Sequence, residues 1–332
     1  MKLASLNNGT PDGQLVVVSR DMRTASAVPT IAATMQAALD RWTQVLPGLQ
    51  RVYERLNASD CPDAWHFDPT AVAAPLPRAY QFLDGSVYPS HMATVRKARG
   101  AIMPAGFETT PLLYQGNSDR FLAPTEPILH AQDEGYGIDF EAEVVAVTGN
   151  VPQGTRSASA RSAILLLGLL NDTSLRGVIP DEIGRGFGFM QGKPARTMGP
   201  VFITPDEAGP LWDGRLLSGR YVCEVRGERI GELDPGIDAM FGYDDLIAHA
   251  ARTRDLGAGT VLGLGAIANL DRRRGCGCIA ELRAYEQIEQ GQARTPCLRF
   301  GDDVYLELFA PEGTSLFGAI RQRVGRFVSV SG

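Results

Sequence analysis

The stretch YGIDFEAEVVAV, Tyr136 to Val147, places three carboxylates two residues apart: Asp139, Glu141 and Glu143. Side chains at i and i+2 share one face of a strand. Like charges this close repel, and two settings tolerate them. One is a solvated face, where water screens the charges. The other is a buried site where a divalent cation cancels them. The run continues as Val144, Val145, Ala146 and Val147, apolar on both faces, which predicts a buried strand with its carboxylates at the mouth of a pocket. Oxygen-only ligands suit Mg2+, Ca2+ or Mn2+ better than zinc.

Other segments offer partners for such a site. Asp172 ends the apolar run AILLLGLLND, where a plain strand-end turn is the alternative. Asp84 lies in QFLDGSVYPSH, with His91 seven residues further on. His91 is the member of the set His66, His91, His130 and His249 that follows a candidate ligand at short range, in a Gly/Ser/Pro-containing loop. RGFGFMQGKPART is not a phosphate loop of the GxxxxGK[ST] kind: Gly186 to Gly192 spans one residue too many, and Pro194 follows Lys193. The Gly-rich stretch 184–192 is read as a loop, and a candidate lid, presenting Lys193 to an anionic substrate; a surface lysine is the alternative. No G-x-S-x-G elbow occurs, so serine catalysis is not indicated.

The elements that must position these residues are short strands and few helices. KLASLNNGTPDGQLVVVS predicts an opening hairpin. Residues 29–56 carry helical spacing (Met35, Leu39, Trp42, Leu46), and Pro47 is expected to split them into two helices. A Pro-rich stretch suggests a boundary near residue 74, separating a small N-terminal α+β domain (1–74) from a larger, β-rich domain (75–332). Ser157–Ile164 predicts a short helix before a buried strand, YDDLIAHAARTRDL a helix, SGRYVCEVRGERIGEL a hairpin, and DDVYLELFAPEG a late strand.

Composition excludes several classes of partner. The chain has 332 residues, 44% apolar and 21% charged, with a net charge of -6 and no Lys/Arg-rich run, which argues against nucleic acid. Five cysteines (Cys61, Cys223, Cys276, Cys278, Cys297) form no metal-ligand spacing and predict a reduced, cytoplasmic protein. The longest apolar run falls far short of the ~20 residues that span a bilayer, so no membrane association is expected.

FLDGSVYPSH, GIDFEAEVVAV, NDTSLR and GKPART occur in the order and spacing of one family. Over roughly residues 75 to 330 the chain resembles the fumarylacetoacetate hydrolase family. The resemblance implies a mixed β-roll catalytic domain, a homodimer, a divalent cation (Mg2+ foremost, Ca2+ or Mn2+ as alternatives) and a small anionic diketo-acid substrate. It implies Asp84, Glu141, Glu143 and Asp172 as metal ligands, leaving Asp139 outside. It implies His91 as general base with Asp271 as its orienting carboxylate, Lys193 and Arg176 as catalytic cations, and Tyr114, Thr197 and Ser86 as substrate contacts. The activity implied is hydrolysis of a carbon–carbon bond in fumarylacetoacetate-like or acylpyruvate substrates. Decarboxylation, keto–enol isomerisation and non-catalytic dicarboxylate binding are the alternatives. Gly177 and Ile179 depart from the pattern, standing where enzymes acting on fumarylacetoacetate itself carry an acid and a glutamine.

Overall fold

The computed structural model describes residues 1–328. A 12-stranded sheet runs through the molecule, and a five-stranded sheet faces it. The expected opening hairpin forms, Lys2–Leu6 against Gln14–Val18, but it is not a separate sheet. Lys2 and Leu3 pair with Ile203 and Phe202, so the N-terminal strands extend the same sheet that carries the strands Ile164–Asn171, Ala142–Thr148, Val261–Gly263 and Phe82–Gly85. The result is an α+β, sheet-rich fold.

The strand Ala142–Thr148 is buried on both faces, as its apolar run requires. Val145 and Val147 join Leu166, Leu170 and the N-terminal helices in one core. Val144 and Ala146 join Tyr221, Leu306 and Leu308 of the five-stranded sheet in the other. The big sheet is thus a middle layer, with helices on one side and a sheet on the other.

Two expectations fail locally. Pro47 does not split its helix: Trp42–Asn57 is continuous through it, and the break lies about two turns earlier, after Met35–Leu39. A proline costs the helix the bond to the carbonyl four residues back. Here that carbonyl belongs to exposed Thr43, in the first turn of the helix, where the lost bond costs least because water has access to the residue. The stretch after Asp84 is not a loop but the helix Pro89–Ala98, opening with proline at its first position, where the missing N–H costs nothing. A second helix, Ile279–Gln290, was not evident from the sequence and packs against it.

Candidate active site

Four adjacent strands end at one edge of the big sheet, and each delivers one piece of the site. In register, Val145 pairs with Gly263, and Gly263 with Asp84, while Glu143 pairs with Leu170. Asp172 follows the end of Leu170's strand, and Glu141 directly precedes Glu143's. Asp84, Glu141, Glu143 and Asp172 are all buried, and each offers an oxygen within 4.8 Å of the others'. Gly263 makes the room: a methyl at its Cα would overlap Asp84 Oδ1 and come within 2.6 Å of Glu143 Oε2. Sequence reasoning missed this glycine, because its signal is the register, not a motif.

Cations surround the carboxylates. Lys193 Nζ donates to Glu141 Oε2 (2.9 Å) and Asp172 Oδ2 (2.5 Å). Arg176 lies 2.6 Å from Glu141 Oε1, and Ser174 Oγ donates to the same oxygen. Tyr114 donates its hydroxyl proton to Asp172 Oδ2 (2.8 Å). Arg196, absent from the sequence reading, is wholly buried; its Nε pairs with Asp172 Oδ1 at 2.6 Å and its guanidinium stacks on Phe82. Among the described residues, Glu143 alone of the four has neither carboxylate oxygen hydrogen-bonded.

The electrostatics follow from this placement. Burial and the charge of Asp172 push Asp84 up to about 7. Burial and Asp84 push Glu143 well above the carboxylate range. Burial alone would raise Glu141 too, but Lys193 and Arg176 outweigh it and hold Glu141 low. Lys193 is held above its ordinary value, because Asp172 and Glu141 outweigh its desolvation. Counting Asp139, five buried carboxylates face three cations, Arg176, Lys193 and Arg196. The deficit falls on Asp84 and Glu143, which pair with no cation and whose titration is raised, and one divalent cation would balance it. Unpartnered Glu143, the space over Gly263 and the all-oxygen donor set fit a divalent cation of the Mg2+, Ca2+ or Mn2+ type.

The cavity over the cluster has a volume of about 170 Å³ and includes Asp84, Ser86, His91, Arg99, Tyr114, Glu141, Arg176 and Lys193 in its walls. His91 is the third residue of its helix. Its Nδ1 faces Glu281 Oε2 at 3.8 Å, and neither atom has a hydrogen-bond partner among the described residues. Glu281 is the third residue of the facing helix and 1% exposed.

This corrects the assignment of Asp271. Its carboxylate is half exposed and taken up locally: it caps the turn Arg272–Arg274, accepting from Arg273's N–H and guanidinium, and those bonds hold it at about 2. The carboxylate behind His91 is Glu281, ten residues later, which only the packing of two helices reveals. Thr197 is also displaced from its expected role. It is buried in the strand Arg196–Met198 opposite Asn171, behind Asp172, and does not line the cavity.

The departures have physical content. A side chain at Gly177 would overlap the Gly135 carbonyl oxygen and lie 3.2 Å from that of Tyr136, so close backbone approach fixes glycine there and no acid fits. Ile179 gives the cavity an apolar wall where a glutamine would be polar. Glu182, in the helix Ile179–Arg185 that overlaps the start of the expected loop, accepts from the N–H groups of Met190, Gln191 and Gly192, and Phe189 packs edge-on against Tyr114.

The family model for the fumarylacetoacetate (FAA) hydrolase C-terminal region matches residues 81–325. The chain belongs to the fumarylacetoacetate hydrolase family. Residues 1–78 match the model for the fumarylacetoacetase N-terminal domain 2. No curated protein matches this family member in sequence. Among solved structures, it is similar to a maleylpyruvate hydrolase from Sphingobium sp. SYK-6 in complex with manganese (II) ion and pyruvate (TM-score 0.65, 14% identity, 99% of this chain and 100% of that one). A 5-carboxymethyl-2-hydroxymuconate delta-isomerase from Mycobacterium smegmatis matches with TM-score 0.60 and 17% identity over 99% and 100% of the two chains. A 2-hydroxyhepta-2,4-diene-1,7-dioate isomerase from Mycobacterium marinum matches with TM-score 0.57 and 14% identity over the same shares. At these identities the likeness establishes the fold alone. No helix among the described residues is long and apolar enough to cross a membrane.

Proposed function

We propose that this family member is a cytoplasmic, homodimeric, Mg2+-dependent hydrolase that cleaves a carbon–carbon bond in acylpyruvate or fumarylacetoacetate-like diketo acids. The observation that supports the reading is His91, faced by the buried Glu281, on the wall of a cavity that Asp84 and Glu141 of the four-carboxylate cluster also line. Hydrolysis needs a base for water close to the carbonyl it attacks, and His91 is the histidine on this cavity. With Nδ1 turned to Glu281, Nε2 is left to take the water proton. Glu281, buried beside the imidazole, orients the ring and stabilises its protonated form. Lys193 and Arg176 meet a carboxylate or developing oxyanion. The small cavity and its cationic rim suit a short anionic substrate rather than a polymer. A divalent cation held by Asp84, Glu141, Glu143 and Asp172 supplies Lewis acidity that stabilises enolate charge.

The test is loss of diketone ultraviolet absorbance, with fumarylacetoacetate and a simple acylpyruvate as substrates, with and without Mg2+. Metal-dependent loss with a carboxylic acid product, abolished in a His91→Ala protein that still binds Mn2+, supports hydrolysis. Carbon dioxide released from oxaloacetate instead, or keto–enol conversion without cleavage, would replace it with decarboxylation or isomerisation on the same cluster. Full hydrolytic activity in His91→Ala would sink the mechanism.

A further inference from the structure

Asp139 alternates with Glu141 and Glu143 in the sequence yet does not join them. The strand is interrupted at Phe140 and Glu141. The short strand Ile138–Asp139 pairs instead with Ser174–Leu175. The turn aims the wholly buried Asp139 carboxylate away from the cation cluster, at the start of the helix Ile279–Gln290. Oδ1 accepts from Ile279 N–H (2.8 Å) and Oδ2 from Ala280 N–H (2.9 Å). These are the first two residues of that helix, and Glu281 is the third. Oδ2 also accepts from Arg176 Nε at 2.9 Å. Arg176 in turn lies 2.6 Å from Glu141 Oε1.

We propose that Asp139 is a positioning residue that ties the cation cluster to the His91–Glu281 pair. One carboxylate satisfies the first free N–H groups of the helix, which fixes the turn that presents Glu281 to His91. The same carboxylate divides the guanidinium of Arg176 between itself and Glu141, so that Glu141 keeps charge for a cation. Without it, Arg176 turns fully onto Glu141 while the helix start loosens. Arg176 and Glu281 share no bond in the structure; Asp139 is the link between them. The catalytic part rests on the hydrolase reading above, whereas the effect on cation binding does not.

The experiment compares Asp139→Asn, Glu281→Gln and their combination. Asp139→Asn keeps the size and one acceptor but removes the charge. Mn2+ affinity, measured by titration calorimetry, is expected to fall by about 10-fold, in the range for residues that orient ligands. The kcat on an acylpyruvate is expected to fall by at least ~10-fold, and adding Glu281→Gln to Asp139→Asn is expected to cost clearly less than Glu281→Gln does alone. Independent effects on kcat, multiplying in the double variant, or an unchanged Mn2+ affinity would overturn the proposal. If Asp139→Asn does not fold, Arg176→Lys replaces it. Its kcat loss is then expected to be non-multiplicative with that of Glu281→Gln, although the two residues do not touch; multiplicative losses overturn the link. If the parent protein hydrolyses no diketo acid, the hydrolase reading fails. The Mn2+ arm then decides the role of Asp139 by itself.

Discussion

Glu143→Gln isolates the one carboxylate whose oxygens have no hydrogen-bond partner in the cluster. Two like charges 4.8 Å apart repel by about 3.5 kcal/mol at an effective dielectric near 20. Glu143 has such neighbours and no bonded cation of its own, so burial and repulsion favour its protonated form when no metal is present. Glutamine has nearly the shape of that neutral form. The metal-free variant should therefore unfold within about 1 kcal/mol of the parent. With a cation the balance reverses, because the parent presents two uncompensated negative charges and the variant presents one. Residues that merely orient ligands cost 10–100-fold in affinity, so loss of a direct ligand should cost ~100-fold or more. At a Mn2+ concentration about 100 times the parent's Kd, the parent gains ~2.7 kcal/mol of stability and the variant only ~0.4. Thermal or urea unfolding with and without Mn2+ reads this directly. Equal stabilisation of both proteins would refute Glu143 as a ligand. A metal-free variant weaker by several kcal/mol would refute the neutral, unpaired carboxylate.

Three further outcomes test the same geometry. Gly263→Ala puts a methyl between Asp84 and Glu143 and should abolish Mn2+-dependent stabilisation while the metal-free fold persists; retained Mn2+ affinity would mean the space over Gly263 is not part of the site. Glu281→Gln should lower kcat by ~10- to 100-fold with little change in Mn2+ affinity, whereas Asp271→Asn should leave steady-state rates unchanged, and the reverse ranking would restore Asp271 as the partner of His91. Mn2+ affinity should rise with pH: burial and mutual repulsion push Asp84 up to about 7 and raise Glu143 above the ordinary carboxylate range in the metal-free protein, so protons compete with the cation as pH falls and the competition fades as pH rises. A pH-independent affinity between 6 and 8, measured by calorimetry, would contradict that competition.

The carboxylates Glu141 and Glu143 were readable from a local signal, whereas their grouping with Asp84 and Asp172 came from the family resemblance. An apolar run on both faces of Ala142–Thr148 predicts a buried strand, and carboxylates at its edge then need a counter-charge whatever the fold. The hairpins, the late strand and the helix beginning at Tyr243 follow from period-two or helical patterning and from turn residues, which are equally local. What the sequence could not carry is the meeting of distant segments. His91 and Glu281 are 190 positions apart and meet because two helices pack side by side. Asp271 sits near Glu281 in the chain, yet a tight arginine-rich turn consumes it at the surface. Alternation alone would group Asp139 with Glu141 and Glu143, but a two-residue interruption of the strand sends it to a helix start. Gly263 has no side chain to advertise itself, and Arg196 looks like a surface charge until its burial against Asp172 and Phe82 is seen. By itself the sequence determined the kinds of groups and the strands that hold them, since composition and period act within a few residues. The tertiary structure alone decided which charge faces which, since Coulomb energy depends on distance through space and on burial, and neither is written in the order of the chain.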